Sequence, residues 1–278
     1  MKIYISSDME GSTGVVSAAQ VDCTKPQYLF GRAMQAADVE AAVRAALEAG
    51  AEGVVINDSH CTMTNLDIAK FGGEVQLITG TPKLLGMVEG ARGCDAAIFL
   101  GYHAMAGTEK AVLDHTFDQH TIYSLSVNGR KMGETGVNAL LCGALGVPVV
   151  MVSGDDALCM EAESLLGPEL VTCSVKEGLG RAAALCLTPE NTAELIYSGV
   201  KKAMARLKKG ECRPFAPEAP YLLEVTLMNT LQTDAASLVP GAVRTAARTL
   251  RFETEDALEL RRFLYSVMEC AAATLSDF

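Results

Sequence analysis

The chain has 278 residues, of which 49% are hydrophobic and 21% charged, so it is long and apolar enough for a buried core and is not disordered as a whole. Its formal net charge of −11 repels nucleic-acid phosphates and anionic membranes, so we expect neither as a general partner. Nine cysteines are scattered without a C-x-x-C pair, which predicts a cytoplasmic protein with no disulfide scaffold.

Short apolar runs alternate with helical patterns over the first part of the chain. In residues 31–49 the apolar positions recur at helical spacing, and Gly50 stands where a glycine commonly ends a helix. Asn128-Gly129 predicts a two-residue hairpin turn. The alternation predicts an α/β fold, a layered and largely parallel sheet flanked by helices. The predicted strands are residues 3–5, 53–56, 75–79, 96–100, 122–127 and 147–152, and a second predicted helix covers residues 135–145.

The C-terminal part of the chain follows a different pattern. A predicted helix, residues 190–208, is followed by closely spaced prolines that indicate a stiff connection. Beyond them the pattern predicts a strand over residues 221–228 and a helix over residues 255–274. We therefore predict an α/β domain over residues 1–210 and a smaller α+β C-terminal part over residues 211–278.

Candidate metal ligands follow three of the predicted strands. Asp8 and Glu10 follow the first strand. His60 follows the second strand and His103 follows the fourth. Ligands of open α/β sheets bind beyond the carboxyl ends of the strands, so neighbouring parallel strands would bring these side chains to one edge. Imidazole and carboxylate together suit zinc, manganese or iron, with zinc as the default expectation.

The acidic pair Asp8 and Glu10 is spaced i and i+2, so both carboxylates can point into one pocket from the turn after a strand. One carboxylate can bridge two cations while the other binds one, an arrangement that serves two metal ions about 3.5–4 Å apart. Taken alone, the pair fits a solvated loop with a helix N-cap aspartate better than it fits a site. Two of the four histidines at strand ends shift the balance towards a metal site in the first domain.

Two further residues are left open by the pattern. Glu134 lies beside the predicted start of a helix, and spacing alone favours an interaction with the helix dipole there over a metal role. His115 could act as a general acid or base, a nucleophile or a ligand, with Asp114 or Asp118 orienting its ring. An ordinary polar loop fits the same pattern.

Residues 178–183, Gly-Leu-Gly-Arg-Ala-Ala, match the G-x-G-x-x-A pattern of dinucleotide-binding loops. They follow a plausible strand at residues 171–175, but such a fingerprint needs an acidic residue after the next strand, about 20 residues further on. A helical pattern occupies that region instead, so we do not predict a dinucleotide site.

Six short motifs are spread along the chain, most of them at predicted strand ends: Ser7-Asp8-Met9-Glu10-Gly11, Asn57-Asp58-Ser59-His60, Met87-Val88-Glu89-Gly90, Gly101-Tyr102-His103-Ala104, Gly133-Glu134 and Ser153-Gly154-Asp155-Asp156. Together they resemble the D-aminopeptidase family, also called the dipeptide transport protein DppA family (peptidase family M55). The combination is specific and extends over nearly the whole chain, whereas no single motif would identify the family. The segment after Gly11 departs from the family pattern.

The resemblance implies a zinc-dependent aminopeptidase that hydrolyses short peptides with N-terminal D-amino acids, of the D-Ala-D-Ala type. It also implies a homo-oligomer, a decameric ring whose sites face an internal channel. His115 is implied as the catalytic residue, acting as a nucleophile or as an acid and base. Two zinc ions per subunit are implied, with Asp8 as the bridging carboxylate and a ligand set of Asp8, Glu10, His60, His103 and Glu134.

Two other functions are consistent with the residues themselves. A two-metal phosphoesterase would use the same ligand set, although no cluster of arginines lies near the motifs in the sequence. A non-catalytic peptide-binding component of an uptake system would bind peptides without turnover, but it leaves the metal ligands unexplained.

Overall fold

The structure, a computed structural model, describes residues 1–277 and contains two β-sheets with helices packed around them. The strands in chain order are β1 (Lys2–Ser7), β2 (Gly53–Asp58), β3 (Val75–Ile78), β4 (Ala96–Leu100), β5 (Ile122–Val127), β6 (Arg130–Lys131), β7 (Val149–Asp155), β8 (Val171–Gly180), β9 (Ala183–Cys186), β10 (Tyr221–Leu227), β11 (Val243–Ala246) and β12 (Thr249–Thr254). The helices are α1 (Ala18–Val21), α2 (Tyr28–Glu48), α3 (Glu134–Ala144), α4 (Asp156–Leu166), α5 (Pro189–Lys208), α6 (Thr230–Ala236) and α7 (Ala257–Ala272), with 3₁₀ turns at Ile68–Lys70, Gly86–Val88 and Ala273–Asp277.

The first sheet has the strand order β3-β2-β1-β4-β7-β8-β9. Its neighbouring strands are parallel except for the last pair, β8 and β9. The chain moves outward from β1 to β3 and then returns to the other side of β1 at β4. The strand order therefore reverses between β1 and β4, which is where open α/β sheets bind their ligands. The largely parallel, layered sheet predicted from the sequence is confirmed.

The central strands are buried on both faces, which explains why their sequences are continuous apolar runs. Successive side chains of a strand point to opposite faces, so β1 contributes to two separate cores. Ile3 and Ile5 pack with Val39 of α2 and Val200 of α5. Tyr4, on the other face, belongs to a core that includes residues of α3, α4, α7 and the second sheet. The first sheet is thus covered on both sides.

The second sheet is antiparallel and has the order β11-β12-β10-β5-β6. Its strands β5 and β6 come from the chain between β4 and β7, and β5 pairs with β10 of the C-terminal part. Asn128 and Gly129 join β5 to β6 with φ values of 52° and 77°, which confirms the predicted hairpin turn. Helix α7 packs against this sheet through Leu260, Leu264 and Val267. The C-terminal α+β part therefore shares its sheet with strands from the middle of the chain.

The remaining sequence features occupy ordinary structural positions. The G-x-G-x-x-A segment, residues 178–183, spans the end of β8 and the start of β9, so it forms an antiparallel hairpin and not a strand-to-helix turn. All nine cysteines are free thiols. Within residues 1–277, no helix combines the length and the apolar character needed to cross a membrane.

Candidate metal centre

The six side chains predicted as site residues lie together at the carboxyl edge of the first sheet, where the strand order reverses. All are buried except His115, whose side chain is 18% exposed. Asp8 and Glu10 follow β1, His60 follows β2, His103 follows β4, His115 lies in the loop between β4 and β5, and Glu134 is the first residue of α3.

The loops after β1 and β4 approach each other through their backbones. The N–H of Gly11 donates to the carbonyl of Gly101 at 2.8 Å. A Cβ atom on Gly11 would lie 1.8 Å from the carbonyl oxygen of Tyr102, and Gly101 has a φ of 67°, so both positions require glycine. This close approach brings the acidic pair of the first loop beside the histidine of the second.

Two buried charged side chains, one on β8 and one on α2, also bind the loop after β1. Lys176 on β8 is 1% exposed, and its ammonium donates to three backbone carbonyls of the loop, among them that of Glu10 at 2.6 Å. Asp38 on α2 accepts hydrogen bonds from the N–H and the hydroxyl of Thr13 at 2.9 and 2.7 Å. The loop that carries the acidic pair is therefore fixed at several points.

Each of the three histidines uses one ring nitrogen to contact a backbone carbonyl. A carbonyl only accepts hydrogen bonds, so this nitrogen carries a hydrogen, and the other nitrogen of a neutral ring has a lone pair. Metal-binding histidines are commonly oriented by a second hydrogen bond of this kind. The contacts are His60 Nε2 to Val21 O at 2.8 Å, His103 Nδ1 to Ala104 O at 3.1 Å and His115 Nδ1 to Leu113 O at 2.9 Å.

The other ring nitrogens of His60 and His103 face carboxylates. His60 Nδ1 lies 3.3 Å from Asp8 Oδ1 and 3.1 Å from Glu10 Oε2. His103 Nε2 lies 3.6 Å from Asp8 Oδ2 and 3.2 Å from Glu134 Oε1. Asp8 therefore lies between two groups of donor atoms and offers one oxygen to each.

His115 joins the second group from the side of the cavity. Its Nε2 lies 3.7 Å from Glu134 Oε1, and its ring stacks on that of His103 with the centroids 3.9 Å apart. The N–H of Phe117 donates to the same oxygen of Glu134 at 2.7 Å. Burial and the charge of His103 lower the pKa of His115, so its imidazole is neutral at pH 7.

The charges of this cluster call for a cation. Burial and the charge of Glu10 raise the pKa of Asp8 to about 8, because three buried carboxylates repel one another. Burial lowers the pKa of His103, but the charge of Glu134 raises it to about 10, so a proton supplies positive charge when no metal is bound. Among residues 1–277, His103 Nε2 has no partner in hydrogen-bond geometry. A divalent cation would satisfy these groups without protons.

The spacing of the donor atoms fits zinc. Donors that share one tetrahedral zinc ion at about 2.1 Å lie roughly 3.4 Å from one another. His60 Nδ1 and His103 Nε2 lie 3.1 to 3.6 Å from the carboxylate oxygens of Asp8, Glu10 and Glu134 that they face. Two overlapping groups have their donor atoms within 4.8 Å of one another: Asp8, Glu10 and His103, and His103, His115 and Glu134.

The cluster opens into a cavity of about 690 Å³, within the about 300–1,000 Å³ typical of small-molecule sites. Arg261 and Tyr265 of α7 contribute to its wall, so the C-terminal part forms one side of the cavity. Arg261 was not predicted from the sequence, although a clue exists. It lies four residues after Ala257 and three before Leu264, on the apolar face of its helix, where an arginine is unusual.

Comparisons with known proteins extend over the whole fold. The Peptidase_M55 family profile, described as D-aminopeptidase, matches residues 1–266. The D-aminopeptidase of Bacillus subtilis (strain 168) is 36% identical over 281 residues, covering 99% of both chains. A solved structure, described as the zinc-dependent D-aminopeptidase DppA from Bacillus subtilis, a self-compartmentalizing protease, is similar with a TM-score of 0.93 and 35% identity over 99% of both chains.

Proposed function

This chain belongs to the Peptidase_M55 family of D-aminopeptidases and is a metallo-aminopeptidase, and we propose that it hydrolyses short peptides with an N-terminal D-amino acid, of the D-Ala-D-Ala type, at a site of two zinc ions. The observation that carries the two-metal proposal is the position of Asp8, with one oxygen facing His60 and the other facing His103. A carboxylate between two donor groups suits a pair of metal ions. The description of the solved relative as zinc-dependent supports zinc.

We assign the ligands by the short separations between the histidine nitrogens and the carboxylate oxygens on either side of Asp8. Glu10 and His60 would hold one ion together with Asp8, and His103 and Glu134 would hold the other together with Asp8. The bound zinc ions would polarise the scissile carbonyl and lower the pKa of water. The backbone hydrogen bonds of the histidines keep the coordinating nitrogens turned towards the carboxylates.

His115 is proposed as the catalytic residue. Its Nδ1–H is held by the carbonyl of Leu113, so its Nε2 carries the lone pair and is the atom that can accept a proton. Because the imidazole is neutral, it can take a proton from the attacking water and pass it to the leaving amine nitrogen. Its side chain is 18% exposed and lines the cavity, where a substrate can reach it.

We also propose that the protein is a homo-oligomer, a decameric ring whose sites face an internal space. The solved relative is described as a self-compartmentalizing protease, which supports this arrangement. An enclosed site admits short peptides and excludes folded chains. Residues 1–210 would then form the metal-binding catalytic part, while residues 211–278 contribute the wall that carries Arg261.

The proposal is tested by hydrolysis of D-Ala-D-Ala and L-Ala-L-Ala with purified protein, before chelation, after chelation and after zinc is restored. We expect zinc-dependent cleavage of the D-peptide alone. The D8A variant should bind little zinc and lose at least about 100-fold in kcat/KM. The variant E109A, which removes an exposed carboxylate, serves as the matched control and should behave like the wild type.

Two results would contradict the proposal. Cleavage of neither peptide by zinc-loaded protein would favour another hydrolase reaction, such as phosphoester hydrolysis, at the same cluster. A D8A variant that is fully active and contains zinc would remove Asp8 from the centre.

A further inference from the structure

Arg261 on α7 is a buried cation in the wall of the cavity. It is 4% exposed, and within residues 1–277 its Nε and Nη1 atoms have no hydrogen-bond acceptor. A guanidinium stays charged in proteins and carries five N–H donors, so leaving it unpaired in a buried position is unfavourable. Its fork of donors matches the two oxygens of a carboxylate. Within residues 1–277 these two donors are therefore open to an anionic ligand.

The surroundings of Arg261 hold the guanidinium by packing. Its Cζ lies 5.1 Å from the ring centroid of Tyr265 and 5.9 Å from that of Phe117. Gly86 leaves the space for it, because a Cβ atom there would lie 2.3 Å from Nη2 of Arg261. These neighbours fix the place of the guanidinium without neutralising its charge.

The second arginine in the wall of the cavity is already paired. Arg181 Nε lies 3.0 Å from Asp114 Oδ1, and its Nη2 also donates to Gln119 Oε1 at 3.0 Å. This arginine is half exposed, whereas Arg261 is buried. Of the two, Arg261 is the one available to an anionic ligand in the cavity.

Arg261 lies close to the metal centre. Phe117, whose ring it packs on, donates its N–H to Glu134 Oε1 at 2.7 Å, and the charge of Glu134 acts on the guanidinium. Phe117 therefore contacts both Arg261 and the second ligand group. One residue of an extended peptide spans about 3.5 Å. In a dipeptide whose scissile carbonyl lies at the metal centre, one residue separates that carbonyl from the C-terminal carboxylate, so the carboxylate would stay beside the centre.

We propose that Arg261 binds the free C-terminal carboxylate of a dipeptide substrate. The inference rests on the proposed aminopeptidase function, since it assigns the far end of the same substrate. Through this ion pair, Arg261 makes the enzyme selective for the length of the peptide, because it recognises the charge at the C-terminus. This selectivity adds to any exclusion of larger chains by size. Peptides whose C-terminus is amidated, or lies several residues further on, lose this ion pair.

The test compares D-Ala-D-Ala with its C-terminal amide, which differs from it in charge at one end. The zinc-loaded wild type should prefer the free acid by about 10- to 100-fold in kcat/KM, largely through KM, as expected for a charged hydrogen-bonded pair. The variant R261M should lose this preference, so that the ratio of the two substrates approaches one, and R261K should keep part of it. The control R262M alters the exposed neighbour on the same helix and should keep the full ratio.

The outcomes separate this inference from the function on which it rests. Equal cleavage of the acid and the amide by the wild type overturns the role of Arg261 and leaves the aminopeptidase assignment intact. An R261M variant that loses activity on both substrates by the same factor, with normal zinc content, identifies a structural residue and also overturns it. Cleavage of neither substrate by the zinc-loaded wild type overturns both proposals. The wild-type ratio does not depend on how well any variant folds.

Discussion

His115 differs from the other site histidines in its access to the cavity. Its side chain is 18% exposed, against 8% for His60 and 2% for His103. We expect H115A to retain zinc and to lose about 10²- to 10⁴-fold in kcat, since proton transfer is removed while the five proposed ligands remain. Zinc content and steady-state kinetics measure the two effects separately.

The control for this variant is H120A, because His120 is exposed and lines the same cavity. It should keep both zinc and turnover. Normal turnover in H115A would remove His115 from the mechanism. Loss of zinc in H115A would instead make His115 a ligand, in keeping with its place beside His103 and Glu134.

Asp38 gives the stability of the protein a pH dependence of its own. Burial raises its pKa to about 6, although the hydrogen bonds from Thr13 and the charge of Lys176 lower it. The unfolded carboxyl has a pKa of about 3.9, so the folded state binds more protons between these two values. The contribution of Asp38 to the free energy of unfolding is therefore greatest at low pH, falls as the pH rises from about 4 to about 6, and stays low above.

The variant D38N removes this titration. We expect the stability of the wild type relative to D38N to be greater at about pH 4.5 than at about pH 7.5. Urea unfolding with a chelator present at both pH values measures the difference without a contribution from zinc. A difference that grows towards higher pH would show that the carboxylate form is the one stabilised by Thr13.

At the scale of single residues, position in the sequence predicted some of the site residues and not others. The acidic pair and the histidines after β2 and β4 stand directly at strand ends, so the parallel sheet brings them together. Glu134 begins α3, as the spacing indicated, and it also faces His103, which no helical pattern could reveal. Arg261 lies on α7, more than 100 residues after Glu134 in the sequence, and lines the same cavity. Only tertiary packing places it there.

Among the structural elements, the two loops that meet between β1 and β4 are the most sensitive to added volume. We expect G11A to destabilise the protein by about 1–3 kcal/mol, because its Cβ would collide with the backbone of Tyr102. It should also weaken zinc binding at least about 10-fold, since the acidic pair would be displaced. Thermal unfolding and zinc titration provide the measurements.

Gly72 offers a matched control, because a Cβ atom there would have no neighbour within 4 Å. The variant G72A should leave both stability and zinc affinity close to those of the wild type. If G11A and G72A behave alike, the contact between the loops does not position the acidic pair.

The predicted strands and long helices agree with the observed ones to within a few residues, because both depend on local apolar patterns. The hairpin at Asn128-Gly129 was likewise predictable from two residues. The strand that pairs with this hairpin could not be predicted from the sequence. β5 pairs with β10, almost 100 residues later, and such a pairing depends on complementary packing that no local pattern records.

For the whole molecule, the proposed assembly can be measured directly. We expect size-exclusion chromatography with light scattering to give a mass ten times that of one chain. The same preparation should cleave dipeptides and leave a folded protein intact, because the sites would face an enclosed space. A monomer or a dimer that is fully active on dipeptides would contradict the decameric ring without affecting the metal centre.

The route of the chain through both sheets has a consequence for cooperativity. The chain leaves the first sheet after β4, forms β5 and β6 of the second sheet and returns to the first at β7, so the second sheet cannot form from one continuous stretch of sequence. A fragment that begins after residue 210 would expose the bare edge of β10 and is expected to aggregate. Calorimetry of the chelated protein should accordingly record one unfolding transition, since residues of both sheets pack in one core and the chain passes from one sheet to the other.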